Sequence, residues 1–159
     1  MNDLAALMSD ASVFQFMANP TPDEQGILLL ATALMLNRVA MEIAGSSRPA
    51  SGSEHLISHA LDMIGARQRL HGLQTGTAAY LVSSVQSGRH HERIGKLFAQ
   101  TGFWNSVRKQ PFYNEEWRIA VEQAPSVKED FYTILSEEEV WPEFAGMIAH
   151  DTALVGCFE

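Results

Sequence analysis

Apolar and polar positions along the chain recur at helical spacing, and alternating runs of strand type are scarce. Thr21-Pro22-Asp23-Glu24 reads as a helix start, with Thr21 as the cap, a proline in the first turn and a glutamate three positions after the cap. The helix that follows is predicted to run to Ala44, and its nearly continuous apolar surface marks it as a buried, central element. It stops at a small-residue loop, Gly45-Ser46-Ser47-Arg48-Pro49-Ala50-Ser51-Gly52-Ser53, which neither helix nor strand favours. A second helix is predicted from Ser51 or Ser53 to near Gly65, and a third from His71 toward Gln86. Further helices are expected over 92–101, 114–123 (closed by Pro125), 128–135 and 142–150. The expected fold is all-α: a single helical domain over residues 1–159, a bundle of about six to eight helices.

Composition narrows the class. With 46% hydrophobic and 19% charged residues the chain folds rather than staying disordered. A net charge of −8 argues against a nucleic-acid partner. The acids are concentrated late: residues 1–114 carry nine bases and eight acids, residues 115–159 two bases and eleven acids. Aromatic residues interleave with those acids, so the late segment is expected to be a solvated helical face rather than a docking tail. One cysteine, Cys157, excludes an internal disulfide framework and any cysteine-rich zinc site. Met1-Asn2-Asp3 carries no basic run of signal-peptide type, and Thr32, Asn37, Arg38 and Glu42 interrupt the most apolar stretch. A cytoplasmic protein with no membrane span is therefore expected.

Six histidines and the carboxylates remain as candidate chemistry. At about 100° per residue, His55 lies at 0°, His59 at about 40° and Asp62 at about −20° on the second helix. Leu56, Ile57, Ala60, Leu61, Met63 and Ile64 occupy its other side, so the two imidazoles and the carboxylate share a face opposite the apolar stripe. His71 follows a bend through Gly65, at the head of the next helix, and three imidazoles on antiparallel neighbours can converge on a divalent cation. The bland alternative is a set of polar residues at a helix surface or a subunit interface. His90, His91 and His150 have no comparable partners and read as surface residues. The small-residue loop adds backbone N–H groups near a helix start, where Arg48 could join a weak site for a phosphate.

The run from Gly45 to Leu61 (GSSRPASGSEHLISHAL), with His71-Gly72-Leu73-Gln74-Thr75-Gly76, resembles the iron-containing alcohol dehydrogenase superfamily, in its sn-glycerol-1-phosphate dehydrogenase branch. Ala124-Pro125-Ser126-Val127 and Phe131-Tyr132-Thr133-Ile134-Leu135 look like the same branch, and the resemblance extends over residues 25–136. It implies a helical metal-and-substrate domain and a single divalent ion (Zn, Ni or Fe) that acts as a Lewis acid on dihydroxyacetone phosphate or glycerol 1-phosphate. His55 and His71 match metal-ligand positions, His59 matches a histidine beside the substrate that serves in proton transfer, and Gly72 matches the glycine after the second ligand.

Two features depart from that pattern. The branch also uses an aspartate well upstream of the histidines, whereas 54 residues precede His55 here, and Asp3, Asp10 and Asp23 stand in no matching context. No glycine-rich turn of dinucleotide-binding type follows a strand. The chain is therefore expected to be the helical half of such an enzyme, inactive alone, with NAD(P) bound only if another chain supplies the nucleotide-binding domain. The alternatives are a non-catalytic helical binding or oligomerisation module, and a metal site completed within the chain by Asp62 or a water. A polyol phosphate is the expected small-molecule partner. The surface a nucleotide domain would cover is expected to drive homo-oligomerisation.

Overall fold

The computed structural model describes residues 3–18, 20–21, 23–86, 89–137 and 139–159. Eight α-helices occur among them: α1 (Asp3–Ala18), α2 (Glu24–Ala44), α3 (Ser53–Met63), α4 (His71–Val85), α5 (Arg89–Thr101), α6 (Phe103–Arg108), α7 (Asn114–Gln123) and α8 (Trp141–His150). No strand occurs among the described residues, so the all-α expectation holds. The chain divides into two compact units, Met1–Gly52 and Ser53–Glu159.

In the first unit α1 and α2 pack against each other. The cap of α2 is Asp23 rather than Thr21: the Asp23 carboxylate accepts from the Gly26 N–H at 2.8 Å, and the Thr21 hydroxyl donates to that carboxylate at 2.8 Å. Gly45 closes the helix with φ +62°, the left-handed conformation that a residue without Cβ adopts at no steric cost. The buried positions of α2 are Gly26, Ala33 and Ala40, a small-residue stripe at a spacing of seven. The expectation of a buried central helix is corrected here. Leu34 and Met35 are 70% and 71% exposed, because among the described residues of this unit α2 packs on α1 and the short turn Arg48–Ala50, and its buried positions are the small residues. By length and composition alone α2 is apolar enough to cross a bilayer, despite its polar interruptions.

The second unit holds the core. Leu56, Ile57, Ala60 and Leu61 of α3 are buried as the helical pattern predicts, while Met63 is exposed because α3 ends there. Leu81 of α4, Trp117 of α7 and Phe144 of α8, all fully buried, belong to the same core. α6 was not anticipated from the sequence. Gly102, at φ +70°, breaks the run after α5, and Phe103 then stacks on Phe98 with ring centroids 4.0 Å apart. Phe103 also lies on Gly76, where a Cβ would come within 2.6 Å of the ring, so this close approach of α4 requires glycine. His91 is corrected from a surface residue to a packed one: its ring lies 4.2 Å from that of Tyr80 and its Nδ1 is 3.2 Å from the Ser83 hydroxyl. The expected helix over 128–135 is absent. Asp130, at φ +54°, leaves the right-handed helical region, and only a 3-10 turn forms at Ile134–Ser136.

The C-terminal residues are clipped to the segment before α7. The Phe112 N–H donates to the Cys157 carbonyl at 2.9 Å, and the Glu159 N–H donates to the Phe112 carbonyl at 2.8 Å. Replacing the fully buried Leu81 by alanine removes apolar surface from the centre of this unit. We expect Leu81→Ala to cost about 2–5 kcal/mol in chemical denaturation. A loss under about 1 kcal/mol would show that the α3–α4 core is not where the stability resides.

Candidate functional site

The site is built on the antiparallel pair α3 and α4 and on the bend between them. Gly65, at φ +68°, ends α3: the Gly65 N–H donates to the Asp62 carbonyl and the Ala66 N–H to the Leu61 carbonyl. Arg69 then pins the returning chain by donating from Nη2 to the Pro111 carbonyl at 2.7 Å and from Nε to the Gln110 carbonyl at 3.2 Å. His71 is thereby delivered to the first turn of α4, facing α3.

The imidazole rings of His55 and His71 lie 5.3 Å apart between centroids, and those of His59 and His71 6.2 Å apart. The ring nitrogens are set by their partners. Ser58, fully buried, donates its single hydroxyl proton to the Gln74 Oε1 at 2.8 Å. Toward His71 Nδ1, 2.9 Å away, the same hydroxyl must accept, so Nδ1 carries the proton and Nε2 keeps its lone pair. His55 Nδ1 lies 2.7 Å from the Glu54 carboxylate, which only accepts, so Nδ1 carries the proton and Nε2 is the nitrogen through which a neutral His55 can bind an ion. A metal-ligating histidine has this polarity, its second nitrogen donating to a carboxylate or another oxygen.

The spacing tests the fit of an ion. Two imidazoles bound to one tetrahedral ion at about 2.0–2.1 Å have ring centroids about 5 Å apart. The His55–His71 separation meets that condition, and His59 stands farther off. Among the described residues no group of three or more His, Cys, Asp or Glu side chains is arranged to hold a metal. The pair thus supplies two ligands, and Asp62, exposed at the end of α3, does not complete a third with them. Asp62 instead lines an open cleft of about 680 Å³ with Gly65, Arg69, Leu70 and Gln110.

His59 is held below the ordinary histidine pKa, first by burial, then by the positive charge of Lys128 and by its neighbours His55 and His71; Asp62 opposes weakly. Lys128 was not singled out from the sequence, nor were Glu54, Ser58 and Gln74. Gln74 sits one turn after His71 on the same face of α4, a signal that spacing alone could have supplied. Lys128 follows the turn Ala124–Ser126, which packs on α3, and no local pattern announces that. Arg48 belongs to the first unit, where it begins the short turn Arg48–Ala50.

No protein-family model matches the chain. Individual curated proteins do. The chain is 33% identical over 153 residues to the glycerol-1-phosphate dehydrogenase (NAD(P)+) of Staphylothermus marinus, an alignment covering 94% of this chain and 42% of that protein. It is 41% identical over 115 residues to the protein of the same name from Methanosarcina mazei, covering 72% of this chain and 32% of the relative. The Pyrococcus furiosus protein of that name is 32% identical over 149 residues, covering 94% and 41%. The chain thus spans about two fifths or less of the length of these relatives.

The depressed His59 pKa has a signed consequence. The native state binds this proton less readily than the unfolded chain does. The stability this residue contributes is therefore complete above the ordinary value of 6.5 and is lost as pH falls through the folded value. In metal-free protein the His59 ring C–H resonances should titrate below 6.5 by NMR. A midpoint above 6.5 would contradict the electrostatics described.

Proposed function

We propose, on the premise that the chain belongs to the glycerol-1-phosphate dehydrogenase branch of the iron-containing alcohol dehydrogenase superfamily, that its second unit is the metal- and substrate-binding part of such an enzyme. The observation that carries this reading is the His55–His71 pair at 5.3 Å, with both Nδ1 atoms engaged by Glu54 and Ser58 and both Nε2 atoms left as donors of lone pairs. A divalent ion, Zn, Ni or Fe, would be held by these two nitrogens, and when bound it supplies Lewis-acid polarisation of a substrate oxygen. His59, next to the pair and held toward its neutral form, is suited to accept the proton of a polyol phosphate hydroxyl and to return it in the reverse direction.

The hydride step asks for more than the described residues offer. They contain no strand–turn–helix unit on which a dinucleotide could lie, so no step through NAD(P) is assigned to them. In this reading the nucleotide is held by a nucleotide-binding domain outside the residues described here, and the part described here binds and orients the substrate. The described chain is accordingly expected to be inactive by itself.

The exposed apolar side chains of the first unit favour a second element of function, self-association. Ile27, Leu28, Leu34 and Met35 each leave 63–71% of their surface in water. Contiguous apolar area of this kind is ordinarily covered, and a second copy of the chain would cover it with its own hairpin.

Two measurements check these readings. Purified protein should take up about one equivalent of zinc, and His55→Ala should lose it; unchanged metal content in the double variant His55→Ala/His71→Ala would sink the metal reading. Light scattering should report a dimer that Leu34→Glu/Met35→Glu converts to monomer. A wild-type monomer at high concentration would remove the second element.

A further inference from the structure

Ser58 is fully buried on α3, and Gln74 is 2% exposed on α4, one turn after His71. The Ser58 hydroxyl stands between two groups that can each take its one proton, the Gln74 Oε1 at 2.8 Å and the His71 Nδ1 at 2.9 Å. An amide carbonyl has no proton to give, so toward Gln74 the hydroxyl can only donate. An imidazole nitrogen can play either part, and it adopts the one left over. Gln74 thereby decides, through the hydroxyl, which nitrogen of the His71 ring carries the proton. His55 is oriented by a different device: its Nδ1 meets the Glu54 carboxylate directly, and that side chain is 24% exposed. Gln74 is closed off from water, where a carboxylate would carry a large desolvation cost and a hydrogen-bonded amide does not.

We propose that Gln74 is a positioning residue for the ion site: through Ser58 it holds His71 in the Nδ1–H tautomer and so keeps the Nε2 lone pair for a divalent cation. The proposal rests on the reading of His55 and His71 as metal ligands. Without the Gln74 carbonyl, the Ser58 proton has one acceptor left in this relay, the His71 Nδ1. The neutral ring then carries its own proton on Nε2, where it blocks the bond to an ion. A histidine at position 71 is thus not enough for a ligand; the order of donors and acceptors behind it makes it one.

Long-range 1H–15N NMR of the metal-free full chain at about pH 8, where ordinary imidazoles are neutral, reads the tautomer. His71 should be Nδ1–H in wild type and in Gln74→Glu, which keeps an acceptor, and Nε2–H in Gln74→Met, which keeps the length without a carbonyl. Zinc titration should give Gln74→Met an affinity about 10–100-fold below wild type, with Gln74→Glu recovering most of it. In a Ser58→Ala background Gln74→Met should weaken zinc no further, because the relay is already cut. Wild-type zinc affinity in Gln74→Met, a weakened affinity with the His71 tautomer unchanged, an Nε2–H ring in wild type, or a full additional loss in the Ser58→Ala background would each overturn the proposal. Should Gln74→Met fail to fold, Gln74→Glu carries the test, and loss of the Nδ1–H tautomer or of zinc affinity there overturns it. A wild type that shows the expected tautomers yet takes up no zinc would sink the metal reading and leave Gln74 as the residue that sets the His71 proton.

Discussion

The hydroxyl of Ser58 is the hinge of the structure around the histidines. It is fully buried between α3 and α4, donates to Gln74 and accepts from His71. A buried hydroxyl left without partners costs about 1–3 kcal/mol, so these three side chains bind the two helices in one register. A slip of α4 by a single residue would carry His71 about 100° around its helix axis and break the chain of hydrogen bonds. The same hydroxyl decides the tautomer of His71, because its only proton is already committed to Gln74. The packing of the core and the chemistry of the ring are therefore set by one polar contact. Arg69 supports it from outside by tying the connecting bend to Gln110 and Pro111.

The two units use their apolar residues in opposite ways. The second closes a core of large side chains that includes Trp117, Phe144, Leu56 and Leu81, with the aromatic cluster Phe98–Phe103–Trp104 within the same core. Tyr80 extends that cluster by donating to the Asp151 carboxylate at 2.7 Å, and burial pushes its phenol well above the ordinary range. In the first unit α1 buries Ala5 and Phe16, whereas the buried positions of α2 are small residues and most of its large ones are exposed. Gly26 admits the Thr21 carbonyl against the start of α2, Ala33 and Ala40 are buried farther along it, and many of its large side chains stay exposed. A site resting on the second unit thus has a scaffold complete in itself, while the first unit presents a surface suited to a partner.

The histidine face was legible because it depends on helical periodicity alone. His55 and His59 are one turn apart, and their opposition to Leu56, Ile57, Ala60 and Leu61 follows from 3.6 residues per turn. The delivery of His71 to the same place was also readable, since Gly65 marks the end of one helix and a short connection makes neighbours antiparallel. The partners of those rings were not readable. Glu54 is adjacent to His55 in sequence, and nothing local says whether its carboxylate turns to the ring or to water. Lys128 is separated from His59 by more than sixty residues and by the irregular segment that replaced an expected helix.

By itself, then, the sequence determined the elements and the faces: an all-α chain, the apolar stripe of α3, and three histidines that a helix pair can gather. These follow from interactions within a few residues, where propensity and periodicity act. The tertiary structure decided which nitrogens are free, which cation acts on His59, and that α2 exposes the surface its composition would have buried. Those outcomes depend on what packs against each helix, and neighbours distant in sequence leave no local trace of where they will lie.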